Sequence, residues 1–158
     1  ELIQRGLQLP SQTASIGFDN DHVDNSYRVS TIRWFYAPEN KDIVDTMMHF
    51  ATMANRDFFG FDISVGSHEL QFTEYHGQAN GKYDWHHDVW WENPRAHDRK
   101  LSVVIQLQHP DNYQGGDFQF RIQNVLLHRV SVCRRVHNHR YRSHLGWRLY
   151  STQNRQVN

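Results

Sequence analysis

Three places in this 158-residue chain put a histidine two residues before an aspartate: His22/Asp24, His86/Asp88 and His109/Asp111. With 12 histidines and 12 aspartates, chance supplies roughly one such pair, so the spacing alone carries little weight. The first pair lies in a polar Asx-rich stretch, and the third encloses Pro110 and reads as a turn. Both read as surface pairs. The middle pair sits in FTEYHGQANGKYDWHHDVWW, Phe72 to Trp91, among aromatics that could wall a dry pocket, Trp85, Trp90 and Trp91 in particular. On a strand from Lys82 to Trp90, residues i and i+2 share a face, so His86 and Asp88 point together and His87 points away. An imidazole and a carboxylate on one face are two of the three ligands of a facial 2-His-1-carboxylate site. Such a site leaves positions open on a non-haem Fe(II) for a co-substrate and O₂.

The elements that must position this pair are mainly strands. Tyr27 to Tyr36 (YRVSTIRWFY) is rich in β-branched and aromatic residues and reads as one strand, after a short strand near Ala14 to Phe18. Asn40 then caps a helix that runs to about Phe58, with Ile43, Met47, Phe50, Ala51, Ala54 and Phe58 as its core stripe and His49 on its surface. Gly60 ends it. Strand-like runs follow at Phe61 to Val65, Leu70 to Tyr75, Tyr83 to Trp90, Leu101 to Gln108 and Asp117 to Ile122, separated by Gly, Asn and Pro turns. Many short strands behind one long helix predict a mainly β fold, a sandwich or jelly roll with a flanking helix.

Composition bounds the rest. The length suits one domain with a single core, and aromatics at 13% argue against disorder. One cysteine, Cys133, excludes an internal disulfide and suits a reducing, cytoplasmic compartment. No run is apolar enough for a membrane span and no signal peptide is visible. The chain opens at Glu1 without Met, in what reads as the end of a helix (ELIQRGLQL), as a fragment would. A net charge of zero hides an asymmetry. Residues 1–120 carry nine basic and 17 acidic residues, a net −8, whereas residues 121–158 carry eight arginines and no acid. A basic tail of this kind is a solvated arm or a nucleic-acid contact.

Taken together, YHGQANGKYDWHHD, RKLSVVIQL, DNYQGGDFQF and the upstream YRVSTIRWFY and FFGFDI resemble the prolyl-4-hydroxylase-like family of Fe(II)- and 2-oxoglutarate-dependent dioxygenases, in its phage and bacterial branch. The resemblance covers residues 1–122 and leaves 123–158 atypical, within one oxygenase domain. It implies a double-stranded β-helix of the jelly-roll or cupin type. It also implies Fe(II) held by His86, Asp88 and a distal histidine, with 2-oxoglutarate and O₂ as co-substrates and ascorbate as an auxiliary reductant. Decarboxylation of 2-oxoglutarate to succinate would drive hydroxylation of a peptide or protein side chain, proline first among them. Tyr75 would help hold 2-oxoglutarate, and a basic residue beyond the distal histidine would pair with its far carboxylate. A phage origin would place the protein in the host cytoplasm.

Beyond Ile122 the family pattern changes. Leu126-Leu127-His128-Arg129-Val130 matches the distal-histidine signature locally, but it follows the Gly-Gly strand closely and no Phe-Pro-Ser precedes it. His128 is preferred on local sequence, with Arg140 as the 2-oxoglutarate anchor and Arg135 as the other nearby candidate. His137 and His139 stay open, the latter with Arg148 nine residues on. The loss of acids, the excess of Arg and His and the broken motif are what a shifted reading frame over the tail would leave. Two competing functions follow. A nucleic-acid demethylase of the AlkB type would use the Arg-rich tail on phosphates, against repulsion from the acidic first 120 residues. A β-sandwich binding module would be an oxygenase fold that has lost its third ligand.

Overall fold

The computed structural model describes residues 1–17, 22–63, 66, 69–89, 99–122, 125–130, 134–138 and 145–151, with side chains described as far as Gln119. The chain opens with helix α1 (Leu2–Gln8) and the short strands β1 (Gln12–Thr13) and β2 (Arg28–Val29). Strand β3 (Thr31–Tyr36) leads into helix α2 (Lys41–Ala54), then β4 (Glu69–Glu74), β5 (Lys82–His86) and β6 (Leu101–Ile105). Strands β7 (Gly115–Ile122), β8 (Val125–Val130), β9 (Arg134–Asn138) and β10 (Leu145–Ser151) complete it. The order within the sheets is β1-β3-β4, β2-β5-β10-β7-β8 and β6-β9, and every pairing is antiparallel. The fold is therefore mainly β with helices beside the sheets, as expected.

Helices α1 and α2 pack on β3, and the described core gathers there. Ile32, Phe35, Val44 and Phe72 are buried, with the Phe35 and Phe72 rings edge-on at 6.2 Å. Gly6 of α1 lies so close to the Phe72 ring that a Cβ there would come within 2.7 Å of it. Arg5 ties the two helices by donating to Asp42 at 2.5 and 3.0 Å and to Asn40 at 3.2 Å.

The run Tyr27 to Tyr36 is not one strand. It divides at the buried Ser30, so β2 joins β5 in one sheet and β3 joins β4 in another. A single chain thereby stitches two sheets together, a long-range choice that β propensity cannot express. The predicted strand at Ala14 to Phe18 reduces to β1 just before it and an isolated bridge between Ile16 and His22. Residues 61–63 belong to no strand, and residues 64 and 65 lie outside the described residues.

Asn40 does stand at the N-cap of α2, but its side chain makes no capping bond. Its amide donates instead to the Tyr36 carbonyl at 3.3 Å. The inward residue of α2 is Val44, so the buried face runs one position round from the expected stripe and leaves Phe50 53% exposed. A single π turn, Asn55–Phe59, then adds a residue before Gly60 closes the element with φ of 63°. That extra residue rotates later side chains away from the face that precedes it, and Phe58 stands 79% exposed.

Candidate metal centre

Strand β5 is held between β2, with Arg28 opposite Tyr83, and β10, with Trp147 opposite His86. Its entry is a tight turn over Gly77–Ala79, with Asn80 left-handed at φ of 52°. Gly81 follows, where a Cβ would sit 2.8 Å from the His76 amide nitrogen and 3.0 Å from the Tyr75 backbone. The close approach of those two chain segments is what sets Tyr75 beside the start of β5.

His86 closes the strand and is buried. Its Nδ1 donates to the Asp84 carbonyl at 2.6 Å, because a carbonyl can only accept. The proton is thereby assigned to Nδ1 and the lone pair to Nε2. Burial, the largest cause, pushes the imidazole down to about 4, with the Asp84 carbonyl and the Asp88 carboxylate opposing it. The ring is therefore neutral at pH 7, the form that binds metals. Its 4.0 Å approach to Asp88 is a contact between a lone pair and a carboxylate rather than an ion pair. The Tyr83 ring stacks on it at 3.5 Å and 17°.

Asp88 lies beyond the end of β5, which stops at His86 rather than continuing to Trp90. The i, i+2 facing survives the loss of strand pairing: Nε2 of His86 stands 4.0 Å from Oδ1 of Asp88. The carboxylate is fixed from the other side, where Ser102 of β6 donates to Oδ2 at 2.5 Å. Arg99 lies 3.5 Å from Oδ1. Cis ligands each about 2.1 Å from one divalent ion stand roughly 3 Å apart, so a facial site needs the pair to close by about 1 Å from its 4.0 Å separation. The donor set, one imidazole and one carboxylate, suits Fe(II).

Tyr75 lies beside Arg28 and Ser30. Burial pushes its phenol up to about 12, and the nearby guanidinium and hydroxyl pull the other way. Tyr27 meets the Tyr83 ring edge-on at 5.8 Å and donates to the Trp85 carbonyl at 2.6 Å. Trp85 is partly exposed, and Trp90 and Trp91 lie outside the described residues. The outer two His–Asp pairs sit at the surface. His22 is exposed, and the side chains of His109 and Asp111 are 68% and 86% exposed.

The histidines expected as a third ligand are placed by the backbone only. His128 of β8 pairs with Phe120, Phe120 with Trp147 and Trp147 with His86, so His128 stands three strands from His86 along one row of the sheet. His137 of β9 pairs with Ser102, the residue that holds Asp88. His139 and Arg140 lie outside the described residues. Among the described residues no group of three His, Cys, Asp or Glu side chains gathers for a metal.

An antiparallel β fold that presents a neutral imidazole and a carboxylate from a strand end has the makings of a non-haem iron oxygenase. The chain belongs to the 2OG-Fe(II) oxygenase superfamily, whose family model matches residues 70–155. That span takes in His86, Asp88, Ser102 and most of the Arg-rich tail. No curated protein matches the chain, and no solved structure does. Family membership implies Fe(II) as the cofactor of an oxygenase, with 2-oxoglutarate and O₂ as its co-substrates. Among the described residues no helix is long and apolar enough to cross a membrane.

Sequence reasoning missed Ser102 and Arg28. Ser102 follows Leu101 in a run that reads as an ordinary strand, and a lone serine there carries no signal. Arg28 heads a β-rich stretch, and nothing local marks it as buried.

Proposed function

We propose that this oxygenase hydroxylates a peptidyl side chain, proline first among them, on a double-stranded β-helix that holds Fe(II) through His86, Asp88 and a distal histidine. The observation that carries the metal chemistry is the 4.0 Å spacing of His86 Nε2 and Asp88 Oδ1, with each group fixed by its own hydrogen bond. The substrate class rests on the resemblance over residues 1–122. O₂ would be the oxidant, activated at bound Fe(II), with 2-oxoglutarate as the two-electron co-reductant that leaves as succinate and CO₂. The chain's own residues do the rest. Asp84 and Tyr83 orient the imidazole, burial keeps it neutral, and Ser102 holds the carboxylate. Tyr75 and Arg140 are the expected contacts to 2-oxoglutarate.

His128 remains the first candidate for the distal ligand on local sequence. His137 is the competitor that the register favours, since it pairs with Ser102. Three strand spacings across a flat sheet amount to roughly 14 Å, so His128 needs strong sheet curvature to reach the pair. Anaerobic titration with Fe(II) and 2-oxoglutarate tests both points through the visible charge-transfer band of the chelate. Loss of the band in one of His128→Ala, His137→Ala or His139→Ala names the third ligand. Turnover of 2-oxoglutarate to succinate stimulated by proline-containing peptides supports the substrate class. A folded protein with no band is not an active oxygenase.

A further inference from the structure

Arg99 stands just before β6, and its Nη1 lies 3.5 Å from Oδ1 of Asp88. That oxygen is also the one that faces Nε2 of His86 at 4.0 Å. The other oxygen, Oδ2, accepts from Ser102 at 2.5 Å. The two oxygens of one carboxylate are thus held differently, Oδ2 by a neutral hydroxyl and Oδ1 by a cation. The Asp88 side chain is 13% exposed and that of Arg99 56%, so the cation reaches in from the rim. Its charge also acts on the Tyr83 phenol, opposing the upward push of burial there. A guanidinium keeps its charge, so Arg99 can leave the carboxylate only by swinging away, and its exposure leaves that path open to water. An ion pair this exposed is weak and costs little to break. A divalent ion between the two donors would draw Oδ1 and Nε2 about 1 Å closer and set a second positive charge beside Arg99, where like charges repel.

We propose that Arg99 is a latch on the His86/Asp88 pair: it holds Oδ1 of Asp88 in the metal-free chain and must release it when a divalent cation binds there. The proposal rests on the metal-binding reading of that pair and adds a control on its loading. Ser102 stays on Oδ2 in both states, so the carboxylate keeps its orientation and only the counter-charge changes. Metal uptake then depends on ionic strength, because salt screens the latch. An arginine that merely oriented the carboxylate would act in the opposite sense, and its removal would weaken the metal.

The test is calorimetric titration of the full chain with Mn(II), a redox-inactive stand-in for Fe(II). Arg99→Gln is expected to bind Mn(II) about fivefold more tightly than the parent, the scale of one half-exposed ion pair that no longer has to break. Arg99→Lys keeps the positive charge and should stay within about twofold of the parent. The advantage of Arg99→Gln should shrink as salt rises from about 0.01 M to about 1 M, which cuts the Debye length from roughly 30 Å to 3 Å. By linkage, Arg99→Gln should lower the melting temperature of the metal-free chain and leave that of the Mn(II)-saturated chain unchanged. Weaker or equal Mn(II) binding in Arg99→Gln overturns the latch and leaves the metal reading of the pair intact. Binding by Arg99→Gln where the parent shows none supports the latch. No binding by either chain sinks the metal reading, and the latch falls with it.

Discussion

The Tyr83 ring lies face to face with the His86 imidazole, 3.5 Å between centroids and 17° from parallel. These two residues are three apart on β5, so their contact ties the start of the strand to the end that carries His86. Tyr83→Ala should free the imidazole to rotate and lower Mn(II) affinity by about tenfold, the usual scale for losing a supporting contact. Tyr83→Phe keeps the ring and should retain most of the affinity. Calorimetric titration of both variants checks this, and equal losses would show that the hydroxyl rather than the stack matters.

His86→Ala and Asp88→Ala should each abolish Fe(II) binding, and His87→Ala should not. His22→Ala and His109→Ala are expected to bind metal as the parent does, since both histidines lie on the exposed surface. Equal loss on removing His87 would overturn the pairing of His86 with Asp88.

Ser102→Ala removes the donor to Asp88 Oδ2 while leaving both ligands in place. Metal affinity should fall by about 10-fold, with little change in melting temperature of the metal-free chain. An unchanged affinity would mean the carboxylate is oriented by Arg99 or by the backbone.

The neutral His86 makes the metal-free fold sensitive to acid. Burial holds its pKa at about 4, below the value of about 6.5 in an unfolded chain. The unfolded state therefore takes up the proton first. The contribution of the neutral ring is complete above about pH 6.5, shrinks as pH falls, and is gone below about 4. The urea midpoint of the parent should drop more steeply between those limits than that of His86→Gln. Parallel curves would show that other groups set the acid limit.

Gly81→Ala should destabilise the fold by roughly 1–3 kcal/mol, because its Cβ would meet the backbone of Tyr75 and His76 at 2.8–3.0 Å. Chemical denaturation measures the loss. A neutral result would mean that the turn relaxes and that Tyr75 is less firmly placed than the contact implies.

The i, i+2 spacing of His86 and Asp88, the helix after Asn40 and the turn at Gly81 were all legible in the residues. Each is a local property, carried by neighbours a few positions apart. The division of Tyr27 to Tyr36 at Ser30 was not legible, because both halves have the same β propensity and only their partners differ. Nor was the hold of Ser102 on Asp88, which needs β6 to arrive beside the end of β5. The exposure of Phe50 and Phe58 depends on the face α2 turns toward β3 and on one extra residue in a π turn. Arg28 shows the difference most plainly. Read along the chain it is one basic residue in a strand, and folding buries its charge beside Tyr83 and His86 by pairing segments more than fifty residues apart. Sequence spacing sets which atoms can share a face, whereas long-range pairing sets which faces meet.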